Sequence, residues 1–188
     1  MGACVGVLDA AAAEHLGLHE GVRLIQGGAD AFVGLVGLGG LEGGVGLVTG
    51  SSHLQLGVVP ATDAHPSPGV WGPYVGAPLL GLAMVEGGQS STGAALQWAR
   101  RLFSTNDQRP LSLRDLDEEA ASISIGSDGI TALETFQGAR TPVTDPAARG
   151  ALIGLTLRHT RAHVWRALLE SICLGTRAAV EALAAATG

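Results

Sequence analysis

Apolar positions along the chain switch between helical and extended spacing, and the switches predict an ordered series of short elements. Residues 8–18 place Ala and Leu at helical spacing with charged residues between them and Gly17 and Gly21 closing the run, which predicts a short helix. Residues 22–26 form a brief apolar run stopping at Gly27 and Gly28, the pattern of a buried strand entering a turn. After Asp30, the apolar Phe32, Val33 and Val36 lie among small residues, as in a helix packed closely on a sheet. Runs at 45–49 and 53–59 predict the strands of a hairpin joined by Gly50, Ser51 and Ser52.

Residues 60–78 combine Pro, Gly and Asp with Trp71 and Tyr74, predicting loop or edge structure. An amphipathic helix is expected at 89–103, with Ala94, Leu96, Ala99 and Leu102 apolar and Arg100 and Arg101 near its C-terminal end, where cations suit the helix dipole. A linker at 104–110 and an acidic helix at 111–122 follow. The longest helix is expected at 160–186, opened by Thr160 and apolar at Val164, Leu168, Ile172 and Val180. No internal repeat stands out.

Composition then narrows the function. A chain of 188 residues, 46% apolar and 15% charged, has enough to bury for one domain and too little charge for disorder. Its 29 glycines have no triplet period, so they serve turns and close approaches, not a collagen helix. Seventeen acidic against eleven basic residues give a net charge of −6, which opposes a broad surface for nucleic acid or anionic membrane. Every basic residue is arginine, so chemistry that needs a lysine amine (Schiff bases, the P-loop lysine, the protein-kinase strand lysine) is excluded. Cys4 and Cys173, at opposite ends, provide neither a disulfide framework nor a Cys-rich metal centre, and a reducing cytoplasm is the expected compartment. With no long apolar run and no basic N-terminal region, neither a membrane span nor a signal peptide is expected.

Asp30, after a strand and two glycines, suits a general base or metal-bridging acid in a crevice at a strand end, and equally a helix N-cap. Gly50-Ser51-Ser52 suits a cradle for phosphate oxygens and equally an ordinary hairpin turn. His159 and His163 have the i, i+4 spacing of metal ligands, but Thr160 stands where a zinc hydrolase would carry its glutamate, so a surface or cap role is expected. Ser52 and His53, adjacent on a strand, point to opposite faces and make no nucleophile–base pair. The scattered Trp71, Tyr74, Trp98 and Trp165 form no stacking platform for nucleic acid.

Three stretches together resemble the FGGY carbohydrate kinases, the sugar-kinase branch of the actin-like ATPase fold. GVRLIQGGADAFVGLVGLG followed by VTGSSHLQLG is similar to that family's strand, Gly-rich turn, catalytic aspartate and phosphate hairpin. PGVWGPYVGAPLLGLAMVEGGQSSTGAALQWARRLF resembles the pentulokinase-like members, and GSDGITALETFQGARTPVTDPAARGALIGLTLRHTRAHVWRALLESICLGTR resembles the second signature region.

The resemblance implies an α/β, ribonuclease H-like domain, a mixed sheet with packed helices, with residues 1–188 corresponding to most of a C-terminal kinase lobe. It implies that Asp30 accepts the proton of the attacking sugar hydroxyl and contacts Mg²⁺. Gly50 and Ser51 match the Gly-Thr of the phosphate hairpin, with Ser for Thr, and Gly93 and Gln97 match helix-start positions that approach ATP. The implied reaction moves the ATP γ-phosphoryl group to a sugar or polyol hydroxyl, a ketopentose such as ribulose being favoured and xylulose or a polyol being alternatives. No counterpart to the N-terminal sugar-binding lobe or to the later adenosine-binding stretch is expected here. Weak activity of the chain alone, dependence on a partner lobe and faces open to self-association follow as expectations. The rival expectation is a non-catalytic remnant or partner-binding module with feeble nucleotide binding; a hydrolase built on His159 and His163 would instead carry zinc.

Overall fold

A computed structural model describes residues 1–104 and 110–187, so most of the expected 104–110 linker lies outside the described residues. The chain opens with a ribbon of β1 (Cys4–Val7) and β2 (Arg23–Ile25), bridged by α1 (Ala10–Leu16). Asp9 caps α1 by accepting from the Ala12 N–H, and Gly17 ends it in the left-handed conformation that glycine adopts without strain. All three residues of β2 are exposed, so the buried strand expected at 22–26 is corrected to a surface ribbon strand. A two-stranded ribbon has no second layer to cover both of its faces.

α2 (Asp30–Gly37) leads to a four-stranded sheet ordered β3 (Val45–Thr49), β4 (His53–Pro60), β6 (Leu82–Gln89), β5 (Trp71–Val75), with every ladder antiparallel. β3 and β4 are the expected hairpin, with Thr49 opposite His53 across the turn. β5 is the expected edge. β6 falls in the centre of the sheet, and its last residue, Gln89, was expected to open a helix that in fact begins at Thr92. The strand was hidden because both faces are covered, which removes the alternation that betrays a half-buried strand. Met84 packs with Leu35 of α2 and Leu56 of β4, and Val85 packs with Leu183 on the other face.

α3 (Thr92–Phe103), α4 (Leu113–Ala120), β7 (Thr131–Leu133), β8 (Ala151–Ile153) and α5 (Arg161–Thr187) complete the chain. β7 and β8 pair as a second ribbon that periodicity did not reveal, each being only three residues long. α4 opens with a reciprocal capping box between Ser112 and Asp115. α5 crosses the sheet and joins both halves. Leu183 lies close over Gly57 and Gly87, where any side chain on Gly87 would collide with it. Trp165 and Leu168 pack with Ala99, Leu116 and Ile130 in a separate core, and the buried Trp165 donates its Nε1–H to Asp117 at 2.8 Å. Burying each such large side chain contributes about 1.5–3 kcal/mol. Among the described residues no helix is long and apolar enough to cross a membrane.

Candidate active site

The β3–β4 turn and the start of α3 face one another across one pocket. In the turn, the Gly50 N–H donates to the Ser52 carbonyl at 3.0 Å, while the Ser51 carbonyl accepts from the Ala94 N–H at 3.0 Å. That second bond satisfies one of the open N–H groups of the first turn of α3 and fixes hairpin to helix. Ser91, at the N-cap position, makes no side-chain cap; its hydroxyl donates instead to the Glu134 carbonyl at 2.7 Å. Gly93 sits so close to Gly50 that a Cβ on it would overlap the Gly50 carbonyl.

The resulting pocket, about 380 Å³, is lined by Gly50, Ser51, Gly93, Ala94, Leu96, Gln97 and Leu113. Gln97 accepts from Arg100 Nε at 3.0 Å, and Arg100 also donates to the Leu111 carbonyl. This bond orients the Gln97 amide and leaves its N–H₂ group to donate. A helix start, an exposed serine and an amide donor make the pocket suited to anionic oxygens, without any cationic side chain in its lining. Four residues named from sequence, drawn from separate stretches, thus meet in one place.

Asp30 stands apart from that lining, as the exposed first residue of α2. Its Oδ1 accepts from the Ala31 N–H at 2.8 Å, and Oδ2 has no hydrogen bond among the described residues. The N-cap position belongs to Ala29, so the capping role weighed for Asp30 is corrected. α2 is held to the sheet by Ala31 and Leu35 against Leu56 and Met84, and Phe32 meets Tyr74 at a ring distance of 5.4 Å.

Sequence reading missed a buried polar network behind the pocket. The Gln89 side chain, 2% exposed, accepts from Thr176 at 2.6 Å and Gln55 at 3.2 Å, and donates to the Ile172 carbonyl at 3.0 Å and to Glu134 at 3.2 Å. His53 Nδ1 lies 3.4 Å from the Thr176 hydroxyl. Glycine at 175 leaves room, since a Cβ there would strike Gln89 and Glu134. Burial pushes the Glu134 carboxyl above its usual range, partly offset by the Gln89 hydrogen bond, and burial pushes the His53 imidazole down. The one available signal was a glutamine at the end of an apolar run.

His159 and His163 are taken up by backbone: His159 Nδ1 accepts from the Thr156 N–H, and His163 Nδ1 from the Thr160 N–H at the start of α5. Among the described residues no three His, Cys, Asp or Glu gather as metal ligands.

Residues 45–188 match the model of the FGGY family of carbohydrate kinases, C-terminal domain. A zebrafish (Danio rerio) FGGY carbohydrate kinase domain-containing protein is 32% identical over 97% of this chain and 39% of its own length. A ribulokinase of Mycolicibacterium smegmatis is 31% identical, covering 96% of this chain and 33% of that protein. Among solved structures, xylulose kinase from Rhodospirillum rubrum superposes with a TM-score of 0.81 at 32% identity, over 97% of this chain and 36% of that one. The chain spans between 33% and 39% of the length of these proteins.

Proposed function

The chain belongs to the FGGY family of carbohydrate kinases, and from that membership we propose that it works as the nucleotide-side part of an enzyme transferring the ATP γ-phosphoryl group to a sugar or polyol hydroxyl. The observation that carries the reading is the convergence of Gly50, Ser51, Gly93 and Gln97 on one pocket at the start of α3.

In this reading the Ser51 hydroxyl and the open N–H groups of the α3 first turn donate to phosphate oxygens, favoured by the positive end of the helix dipole. Gly93, where a Cβ would overlap the Gly50 carbonyl, holds the floor of the pocket against the hairpin. The Gln97 amide, fixed by Arg100, donates to the nucleotide from the next turn of the helix. Asp30, with Oδ1 held by Ala31 and Oδ2 unbonded among the described residues, takes the proton of the attacking hydroxyl at Oδ2. Phosphoryl transfer asks mainly for positioning and donors, so a chain without lysine can perform it. Mg²⁺ needs only one or two carboxylates besides phosphate oxygens, so the exposed carboxylate of Asp30 fits as its protein contact, and when bound it would supply neutralisation of the phosphate charge.

Two of the similar proteins are named for ribulose and xylulose, which favours a ketopentose as acceptor. The test is ATP consumption by the chain, alone and mixed with a separately expressed N-terminal kinase lobe from the same genome, against D-ribulose, D-xylulose and glycerol. Turnover that depends on an added sugar establishes the reading and names the acceptor. Folded protein without turnover in either arrangement would contradict it and leave a module whose nucleotide pocket is idle.

A further inference from the structure

α3 has a second pocket on its other side. It measures about 430 Å³ and is lined by Ser91, Ala94, Ala95, Trp98, Arg101, Phe136 and Gln137, so Ala94 is shared with the pocket in front. Trp98, 42% exposed, and Phe136 lie with ring centroids 5.2 Å apart and planes tilted by 42°. Phe136 is fixed from below, since a Cβ on Gly150 would run into its ring. Ala94 and Ala95 keep the floor low.

One charge faces this apolar surface. Arg101 is exposed at the last turn of α3 and has no ion pair among the described residues, whereas its neighbour Arg100 is spent on Gln97 and the Leu111 carbonyl. Gln137 is exposed and makes no side-chain hydrogen bond among the described residues. Two angled aromatic faces, with a guanidinium and an amide that no described residue engages, therefore surround a cavity within the range of small-molecule sites.

We propose that the Trp98–Phe136–Arg101 pocket is a binding site for a small planar aromatic carboxylate, separate from the Gly50–Gly93 pocket. The ring packs against Trp98 and Phe136, which favour offset or edge-to-face contact with another π-system. The carboxylate is bound by the Arg101 fork, whose planar geometry matches it, and Gln137 donates at the rim. A nucleoside triphosphate is a poorer fit, because a single arginine faces several negative charges. A neutral aromatic loses the charged contact and binds more weakly.

The probe is 1-naphthoate, titrated calorimetrically into the protein, with neutral 1-naphthalenemethanol as comparison. Saturable binding of naphthoate is expected, at least about tenfold tighter than the neutral analogue. Arg101→Gln should weaken it about tenfold while Arg101→Lys retains part of it. Trp98→Ala should abolish it, with Trp98→Phe retaining part if the alanine variant loses its fold. Gln97→Ala, on the other side of α3, should leave naphthoate binding unchanged, which separates this site from the nucleotide reading whether or not nucleotide binds. No saturable binding at millimolar probe, or equal binding by wild type, Arg101→Gln and Trp98→Phe, overturns the proposal.

Discussion

Gly93 and Gly50 are in backbone contact: the first turn of α3 lies against the carbonyl of the β3–β4 turn with no room for a Cβ between them. The Ala94 N–H to Ser51 carbonyl bond runs beside this contact and holds it shut. Two effects compete when Gly93 becomes alanine. Helix propensity favours Ala over Gly by about 1 kcal/mol in a helix interior. Overlap with a backbone carbonyl that is held by hydrogen bonds costs about 1–3 kcal/mol. The clash should win, so Gly93→Ala is expected to lower stability in urea denaturation; a stabilised variant would show that the contact yields easily.

Gln89 joins β6 to α5 and to Glu134. Gln89→Leu leaves the fully buried Gln55 amide without its partner, while the Thr176 hydroxyl keeps the Ile172 carbonyl as acceptor at 2.9 Å. An unsatisfied buried group costs about 1–3 kcal/mol, so the variant should lose at least that much in the same denaturation assay. A loss within about 0.5 kcal/mol, the range typical of surface changes, would mean that the network is solvated or repacks.

Such a network was hard to foresee, and the reason lies in particular residues. The hairpin was legible because 45–49 and 53–59 flank a Gly-Ser-Ser turn, and α5 because Val164, Leu168 and Ile172 keep a helical period. β6 was not, because Met84 and Val85 are both buried, on opposite faces. Pairing it with β4 is a contact across the chain, invisible to local spacing, and Gln89 gained its partners only through that pairing and the crossing of α5. The pocket residues were readable through resemblance, since neither glycine nor serine declares a ligand by itself. Their meeting in space needed the fold.

Glu134 and His53 give the network an opposite pair of pH dependences. The folded Glu134 carboxyl titrates above its unfolded value of 4.5, so its contribution to stability is full below that pH and is lost as pH rises through the folded value. His53 titrates below its unfolded value of 6.5, so the unfolded state binds its proton first and stability falls as pH drops below 6.5. Urea midpoints measured from pH 4 upward should therefore show Glu134→Gln gaining on wild type as pH rises past about 4.5. A difference that is constant with pH would contradict burial of the carboxyl in its charged form as the cause.

Asp30 is exposed and its one hydrogen bond among the described residues is local, so its replacement should leave the fold intact. In any active assembly containing this chain, Asp30→Asn should reduce turnover by about two to four orders of magnitude, the range for loss of a general base. Turnover at the wild-type level would remove Asp30 from the chemistry.

Nucleotide binding depends most directly on the pocket between the hairpin turn and α3, and calorimetric titration of ADP with Mg²⁺ tests it. Saturable binding is expected, weakened about three- to tenfold by Ser51→Ala and by Gln97→Ala, as for one lost hydrogen bond each. Absence of saturable binding by folded protein, or binding indifferent to both Ser51 and Gln97, would contradict it.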